Sequence, residues 1–216
     1  MKNLEADFFS KHDPKIIPII RNATIGIAGA GGLGSNVAVT LARVGIGKLI
    51  IADFDKIEPS NLNRQQYFIE QIGEPKVIAL LENLKQINPF SKYQIHHIKL
   101  DENNISSIYK DVDIIVEAFD KAEMKKMLIE TWIAEFPEKP IIAASGLAGY
   151  GMTELIHTKK FDNLYICGDE ITKLNDDISP MAPRVGIVAN MQANLVLELL
   201  LHQLPDVISK QSHELL

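Results

Sequence analysis

A glycine-rich turn directly follows the first apolar segment of the chain and constrains both its fold and its chemistry. Residues 24–29 are apolar and predict a β-strand, which runs into Gly29-x-Gly31-x-x-Gly34, and helical spacing follows from Ser35. Glycine accepts positive φ angles and lets the backbone approach an anion closely, while the next helix offers unpaired N–H groups. The turn therefore indicates a nucleotide-phosphate cradle, although such turns also occur simply to pack a helix against a strand.

Length and charge limit the classes of protein to which this chain can belong. With 216 residues and 46% hydrophobic residues, the sequence predicts one domain over residues 1–216. A formal net charge of −6 argues against nonspecific binding to nucleic acid or to anionic membranes, which requires an excess of Lys and Arg. The sequence shows neither a signal-peptide pattern nor a run of about 18 apolar residues. We therefore expect a soluble, cytoplasmic protein.

Cys167 is the only cysteine in the sequence. One cysteine cannot form an intrachain disulfide or a four-thiolate zinc site, so we expect no structural zinc. Its surroundings read as a short strand followed by a turn, which favours a buried, unreactive thiol. The six histidines are scattered without metal-ligand spacing. The sequence thus offers no obvious nucleophile, acid or base, and it favours catalysis by positioning and charge.

Apolar segments and helical segments alternate along most of the chain. Strands followed by helices predict right-handed crossovers and a parallel sheet with helices on both faces. The sequence therefore predicts an α/β fold, a Rossmann-like, doubly wound, three-layer sheet. The predicted strands cover residues 24–29, 48–53, 93–100, 113–118 and 141–144, and the predicted helices cover residues 35–44, 75–87 and 122–135.

The pattern changes in the last third of the chain. Residues 152–158 and 164–167 are extended segments without a helix between them, which predicts a short antiparallel extension of the sheet. Residues 169–183 are polar and contain two prolines, which predicts a mobile loop. Residues 184–203 are apolar on more than one face, which predicts a helix that is buried or shared with a partner subunit. Residues 1–22 precede the first strand as an N-terminal arm.

A carboxylate and a polar loop follow the second predicted strand. Asp53 lies about twenty residues after the glycine turn, where a carboxylate binds ribose hydroxyls, as in NAD-dependent dehydrogenases. The next residues are rich in hydrogen-bond donors, which is unusual beside a nicotinamide site, although a solvated surface loop would have the same composition. The polar residues of this loop include Asp55, Ser60, Asn61, Asn63, Arg64, Gln65 and Gln66.

Lys76 is the next candidate for contact with an anion. Pro75 suits the first position of a helix, so Lys76 falls in the first turn, where the helix dipole disfavours a cation. If Lys76 and Arg64 converge on the glycine turn, the two cations suit a triphosphate better than a dinucleotide. Alternatively, Lys76 forms a surface ion pair with Glu70 or Glu74.

Asp120 lies just after the fourth predicted strand, near the crevice where open α/β sheets bind ligands. A carboxylate facing a triphosphate is tolerated if it holds Mg²⁺, which is usually bound by one or two carboxylates together with phosphates and waters. Alternatively, Asp120 caps the helix that begins near Ala122, with Glu123 close to a capping-box position. Spacing alone does not separate the two roles.

Taken together, these segments resemble the ubiquitin-activating-enzyme-like superfamily in their order and spacing. Within it, the chain is similar to short ThiF-type adenylyltransferases, which activate the sulfur-carrier protein ThiS of thiamine biosynthesis, and the similarity extends over residues 8–201. The segments that carry the resemblance are Gly29-Ala-Gly-Gly-Leu-Gly34-Ser, Asp53-Phe-Asp55, Ser60-Asn-Leu-Asn-Arg-Gln65, Gly73-x-x-Lys76 and Glu117-Ala-Phe-Asp120.

The resemblance implies a reaction between ATP and the C-terminal Gly-Gly carboxylate of a small ubiquitin-like carrier, giving an acyl adenylate and pyrophosphate. Arg64 and Lys76 would stabilise charge in the transition state, and Asp120 would hold Mg²⁺, so these three form the implied catalytic set. Asp53 would bind ribose and Gly32 would lie against the phosphates. The implied nucleotide-binding residues are Gly29, Gly31, Gly32, Gly34, Asp53, Asp55, Ser60, Asn61, Arg64, Gln65 and Lys76.

The chain departs from this family in two respects. Longer relatives carry paired Cys-x-x-Cys motifs for zinc, which are absent here, and Cys167 does not match their reactive cysteine, so we expect no thioester or acyl-disulfide step. Family members are usually homodimers in which an N-terminal arginine reaches the neighbouring active site. Here Lys11 and Arg21 are the candidates, and the sequence does not choose between them.

Other functions remain open from the sequence. The adenylated target could instead be a molybdopterin-type carrier or a threonylcarbamoyladenosine base in tRNA, although the acidic charge disfavours tRNA. An inactive nucleotide-binding scaffold for a carrier and an NAD-dependent oxidoreductase are the remaining alternatives.

Overall fold

The computed structural model of the protein describes residues 3–172 and 178–202. In these residues, seven strands form one central sheet. The strand order is β3-β2-β1-β4-β5-β7-β6, and every neighbouring pair is parallel except β6 and β7. The strands are β1 (Thr24–Ala28), β2 (Lys48–Asp53), β3 (Lys92–His97), β4 (Ile114–Glu117), β5 (Ile141–Ala144), β6 (His157–Phe161) and β7 (Leu164–Gly168). The helices are α1 (Leu4–Phe9), α2 (Ile17–Asn22), α3 (Gly32–Val44), α4 (Lys76–Ile87), α5 (Ile105–Tyr109), α6 (Ala122–Glu135) and α7 (Ala182–Leu201).

Helices cover both faces of the sheet, and each face has its own apolar core. On one face, side chains of α3, α4 and α7 pack together, among them Val37, Val77 and Val188. On the other face, α5 and α6 contribute Tyr109 and Trp132. The central strands are buried on both faces, which explains their continuous apolar sequences. The predicted α/β fold with a mostly parallel sheet is confirmed.

The predicted short antiparallel extension is present and consists of one pair of strands. β6 pairs antiparallel with β7, but β7 itself lies parallel to β5, so only β6 reverses direction. Much of the segment 152–158 precedes β6, since residues Thr153–Leu155 form a 3-10 turn. The consequence for the site is that β7 ends at the same edge of the sheet as β1.

The last helix is close to its predicted position. α7 spans Ala182–Leu201, whereas 184–203 was expected, and residue 203 lies outside the described residues. Its length and mean hydropathy alone would suit a membrane-crossing helix. In the fold it packs along α3, and its buried residues include Val188 and Ala189. The predicted mobile loop over 169–183 includes residues 173–177, which also lie outside the described residues.

The N-terminal arm carries two short helices that pack on the main body. Phe9 of α1 and Ile20 of α2 are buried in the same core as α3. Gly45 makes this contact possible, since it adopts φ +87° and a Cβ there would lie 2.4 Å from the Phe9 ring. The arm is thus attached to the end of α3 through apolar contacts.

Candidate functional site

The glycine turn joins β1 to α3 at the edge of the sheet where the parallel strands end, and its glycines serve different purposes. Gly29 has φ +104°, and a Cβ on Gly34 would lie 1.9 Å from the Gly29 carbonyl oxygen, so close packing requires these two glycines. Around Gly31, by contrast, a Cβ would meet only the Gln65 side chain, at 3.8 Å. Packing therefore explains part of the motif, while the open space beside Gly31 fits an approaching ligand.

Asp53 supports this turn from the end of β2. Its Oδ2 accepts a hydrogen bond from the Ala30 N–H at 2.6 Å, and its Oδ1 accepts one from the Asp55 N–H at 2.7 Å. Burial raises the pKa of the Asp53 carboxyl, although these hydrogen bonds and the charge of Lys76 act in the opposite direction. Asp53 thus fixes the shape of the turn, a role that the spacing alone did not indicate.

Lys76 is the first residue of α4 and is held by Asp55. The Lys76 Nζ lies 2.9 Å from the Asp55 Oδ2, and the Lys76 N–H donates to the Asp55 carbonyl at 2.9 Å. Lys76 is only 7% exposed, whereas the Asp55 side chain is half-exposed. Among the described residues, neither Glu70 nor Glu74 pairs with Lys76. The ion pair considered as an alternative is therefore absent there, and Lys76 pairs with Asp55 instead. Pro75 is the cap of the helix and not its first residue.

Arg64 lies along the glycine turn. Its Cγ and Cδ atoms are 3.6 and 3.7 Å from the position that a Cβ on Gly32 would occupy. Its Nη1 donates to the Ser60 carbonyl at 3.0 Å and to the Asn63 Oδ1 at 2.8 Å. The sequence-predicted neighbourhood of Arg64 and the turn is therefore present.

Two amides complete the polar loop between β2 and α4. The Asn61 Oδ1 accepts a hydrogen bond from the Glu58 N–H at 3.1 Å, so this side chain shapes the loop itself. Gln65 is buried beside Gly31, and its Oε1 has no hydrogen-bond partner. A buried unpaired acceptor is costly, so the Gln65 carbonyl oxygen is suited to a donor from a bound ligand or water.

Ser35 and Asn36 connect the turn to the polar loop, although neither was predicted to be a site residue. The Ser35 Oγ donates to the Gly31 carbonyl at 2.7 Å. The Asn36 Nδ2 donates to the carbonyls of Gly32 and Arg64, at 2.6 and 3.0 Å. Two polar residues directly after a glycine motif were a visible signal, but their partners, up to 31 residues away, were not.

Two buried side chains bind backbone groups at the sheet edge that carries the glycine turn. The Tyr67 hydroxyl donates to the Ala30 carbonyl at 2.7 Å. Glu117, at the end of β4, accepts hydrogen bonds from the Phe119 N–H at 2.6 Å and from the Lys125 Nζ at 2.9 Å. Burial raises the pKa of the Glu117 carboxyl, while Lys125 opposes that change. Both residues hold backbone in place and neither was predicted.

Asp120 follows β4 and is exposed at the same edge. The cap of α6 is Lys121, without a side-chain hydrogen bond, so Asp120 does not take the capping role considered as an alternative. The preceding Ala118 packs against the turn, its Cβ lying 3.3 Å from where a Cβ on Gly34 would be. Within the described residues, no group of three or more His, Cys, Asp or Glu side chains is arranged to hold a metal. A Mg²⁺ ion at Asp120 would therefore need phosphate oxygens and waters as its other ligands.

The remaining candidates lie away from the turn. Arg21 pairs with Glu5, and its guanidinium lies 5.0 Å from the centre of the Phe9 ring, so it is engaged within its own chain. Lys11 is exposed. Cys167 is buried in β7, and burial raises the pKa of its thiol.

The arrangement as a whole suits a polyanionic ligand. The aliphatic part of Arg64 lies against Gly32, and the charge of Lys76 acts on Asp53, which binds the Ala30 N–H. The backbone at Gly31 is open, and Asp120 follows β4 at the same edge of the sheet. Such a site can bind and orient phosphates and neutralise charge.

Comparisons with known proteins identify relatives of this chain. A family model described as the ThiF family matches residues 8–215. The adenylyltransferase and sulfurtransferase MOCS3 of Caenorhabditis briggsae is 29% identical over 188 residues, which is 83% of this chain and 46% of that protein. The adenylyltransferase and sulfurtransferase uba4 of Aspergillus niger is 35% identical over 139 residues, 64% of this chain and 28% of that protein. The chain thus spans less than half the length of these curated relatives.

Solved structures share the fold. The E. coli tRNA N6-threonylcarbamoyladenosine dehydratase TcdA, in complex with AMP, matches with a TM-score of 0.83 and 17% identity, covering 92% of this chain and 94% of that one. E. coli MccB with ATP matches with a TM-score of 0.65 and 22% identity, covering 85% and 57%. At these identities the similarity supports the architecture.

Proposed function

The chain belongs to the ThiF family, and on that premise we propose that it transfers the adenylyl group of ATP to the C-terminal carboxylate of a small ubiquitin-like sulfur-carrier protein. A carboxylate oxygen of the carrier attacks the α-phosphorus, the bond to the bridging oxygen of the β-phosphate breaks, and pyrophosphate leaves. The products are the acyl adenylate and pyrophosphate. The chain is thus proposed to be a nucleotidyltransferase.

The observation that carries this proposal is that Arg64 and Lys76 lie in the segments beside a turn with open backbone. Arg64 lies along Gly32, Lys76 is held near the turn through Asp55, and Gly31 leaves room for an anion. A triphosphate carries more negative charge than the diphosphate of a dinucleotide, so it gains more from two cations together with Mg²⁺. Pyrophosphate is also a leaving group that the same cations stabilise.

Each residue has a proposed part in binding ATP. Asp53 is suited to the ribose hydroxyls, and Lys76 exchanges its bond to Asp55 for a phosphate oxygen. Asn61 and Gln65 lie in the loop that faces the phosphates. Asp120 would hold Mg²⁺, which supplies further neutralisation of phosphate charge when bound.

The acceptor, its pathway and the assembly are also proposals. We infer a carrier ending in Gly-Gly, of the kind that serves thiazole formation in thiamine synthesis, because the resemblance of the motifs is to the short ThiF-type enzymes. A homodimer in the cytoplasm is the expected form. The names of the curated relatives, which include adenylyltransferase, support the reaction class.

The test is isotope exchange between labelled pyrophosphate and ATP in the presence of Mg²⁺ and a Gly-Gly-ended carrier. Arg64→Ala and Asp120→Ala should each lower the exchange rate by about 100-fold or more, because each removes charge stabilisation at the reacting phosphates. Arg43→Ala and Asp111→Ala are matched controls, since both side chains are exposed on other parts of the described surface.

The outcomes separate the levels of the proposal. Exchange that survives both Arg64→Ala and Asp120→Ala would remove these residues from the mechanism. Binding of ATP without exchange for any Gly-Gly carrier would point to a different acceptor. A thermal shift with NAD but not with ATP would refute the proposal as a whole, because a ligand stabilises the folded state that binds it.

A further inference from the structure

A buried ion pair joins three segments beside the nucleotide turn, and neither the sequence motifs nor the proposed ATP site includes it. Arg184 is 1% exposed and Asp169 is 2% exposed. The Arg184 Nη2 pairs with the Asp169 Oδ2, and its Nη1 donates to the Gly151 carbonyl at 2.7 Å. One guanidinium thus connects the loop after β5, the end of β7 and the first turn of α7.

Asp169 is held as tightly as its partner. Its Oδ1 accepts hydrogen bonds from the N–H groups of Ile171 and Thr172, at 2.8 and 2.9 Å, and from the Thr172 hydroxyl at 3.0 Å. The carboxylate lies so close to Gly146 that a Cβ there would be 1.9 Å from the Oδ1. Both partners are therefore fixed by directional bonds and by the neighbouring backbone.

The pair reaches the glycine turn through the next residue of α7. A Cβ on Gly32 would lie 3.3 Å from the Val185 Cγ1, so the first turn of α7 packs against the phosphate-facing backbone. The Gly149 N–H donates to the Ser179 carbonyl at 3.0 Å, which attaches the loop after β5 to the residues just before α7. We call residues 145–151 and 178–181 together the acceptor wall.

The position of the acceptor wall suggests its use. Asp53, on β2, and the loop before Lys76 lie on one side of β1, where the ribose and the polyphosphate are proposed to bind. β5 and β7 lie on the other side of β1 and end at the same edge of the sheet. A second substrate must approach the α-phosphorus from the side that the nucleotide leaves free, which is the side of the acceptor wall.

We propose that Asp169 and Arg184 are a positioning pair, which holds the acceptor wall against Gly32 so that the acceptor carboxylate reaches the nucleotide. The inference rests on the proposed function. A buried ion pair gives little net stability compared with apolar packing, so the pair is better explained by the geometry it fixes. Neither side chain touches the reacting atoms.

The first arm of the test is kinetic. Arg184→Met removes the charge and keeps much of the volume, and it should raise the KM for a Gly-Gly-ended carrier about tenfold while the Kd for ATP changes less than about threefold. Arg184→Lys should recover part of the loss, because it restores the charge opposite Asp169. Adding Asp169→Asn to Arg184→Met should cause little further loss, since the two residues act as one unit.

A stability-matched control separates positioning from general damage. Asn88 is buried at the opposite edge of the sheet, where its Nδ2 donates to the Ala42 carbonyl at 2.9 Å. Asn88→Ala should lower the melting temperature without changing the KM for the carrier. Equal losses of ATP affinity and carrier use in Arg184→Met would show a merely structural pair and would overturn the inference.

The second arm does not depend on activity. Hydrogen exchange in Arg184→Met should speed up at the amides of Gly149, Val185 and Glu170, whose partners lie in the joined segments, and should stay unchanged in β1 and β2. Unchanged exchange at these amides would overturn the inference even if the enzyme were active. If the wild type adenylates no carrier but this local change is seen, the proposed acceptor is wrong while the placement of the wall by the pair stands.

Discussion

The two sides of the sheet edge build their loops in different ways. On the side of β1 and β2, the glycine turn takes its shape from small residues, from neutral hydrogen bonds such as those of Ser35 and Asn36, and from the partly buried Asp53 carboxylate. On the side of β5 and β7, loops rich in positive φ angles are held by the buried pair of Asp169 and Arg184. The glycine turn leaves backbone at Gly31 open to a ligand, whereas the space between the loops after β5 and β7 is occupied by the side chains of Asp169 and Arg184.

The largest effect that would test the comparison is expected at Gly34. Gly34→Ala should destabilise the fold by about 3 kcal/mol or more, because its Cβ would lie 1.9 Å from the Gly29 carbonyl oxygen and backbone must move. Urea denaturation gives the free energy of unfolding. Gly186→Ala is the control, since nothing lies within 4 Å of a Cβ on this residue of α7, and it should be neutral or slightly stabilising.

If Gly34→Ala had the same free energy of unfolding as the wild type, the turn would not be packed as described. It would also mean that the close approach of α3 to β1 is not what the glycine motif provides.

A second substitution separates ligand binding from packing within the same motif. Gly31→Ala should leave the free energy of unfolding within about 1 kcal/mol, because its Cβ meets only Gln65 at 3.8 Å. It should weaken ATP binding by about 30-fold or more, since the methyl group occupies the space through which the phosphates approach the backbone. Isothermal titration with MgATP measures the affinity, and unchanged affinity would place the phosphates elsewhere.

These two glycines also show how far the sequence could lead. The strand–turn–helix order and the fold class were predictable, because local periodicity and motif spacing determine them, whereas the sequence alone left open whether Arg64 lies at the turn. The different roles of Gly31 and Gly34 could not be predicted, since they depend on which atoms lie close to each glycine in the fold. The role of Glu117 was not predictable either, because its partner Lys125 is recognisable only once α6 lies against β4.

The side of β5 and β7 was the less predictable one. Asp169 and Arg184 stand at the two ends of a polar segment that read as a loop, and nothing in that pattern pairs them. A charged residue in the first turn of an apolar helix reads as exposed, yet Arg184 is buried because the loop after β5 supplies the Gly151 carbonyl as a partner. Tertiary placement, not local preference, decides such contacts.

A smaller effect is expected from the pH dependence of Asp169. Burial raises the pKa of its carboxyl, but hydrogen bonds from Thr172 and Ile171 and the charge of Arg184 outweigh it, so the folded-state pKa lies below 3.8. The unfolded chain therefore binds more protons just below pH 3.8, and the stabilisation from the ionised carboxylate is complete above that pH and lost as the pH falls.

The measurement compares wild type with Asp169→Asn in urea denaturation at several pH values. The variant should be less stable at neutral pH, since it leaves the Arg184 charge buried and unpaired, and the difference should shrink as the pH falls below about 4. A difference that stays constant with pH would show that the carboxylate is not the stabilised form in the folded protein.

The smallest effect is expected at Cys167, which lies on the side of β5 and β7 but faces the core. Its Sγ is 3.6 Å from the Thr158 hydroxyl, and burial raises the pKa of the thiol, so little thiolate exists at neutral pH. Cys167→Ala should cost about 1 kcal/mol of stability and leave pyrophosphate exchange within about twofold. Alkylation of the native thiol should require opening of the fold, at a rate that rises with added urea. Loss of activity in a folded Cys167→Ala protein would bring a sulfur step into the mechanism, and the side of β5 and β7 would then carry chemistry as well as position.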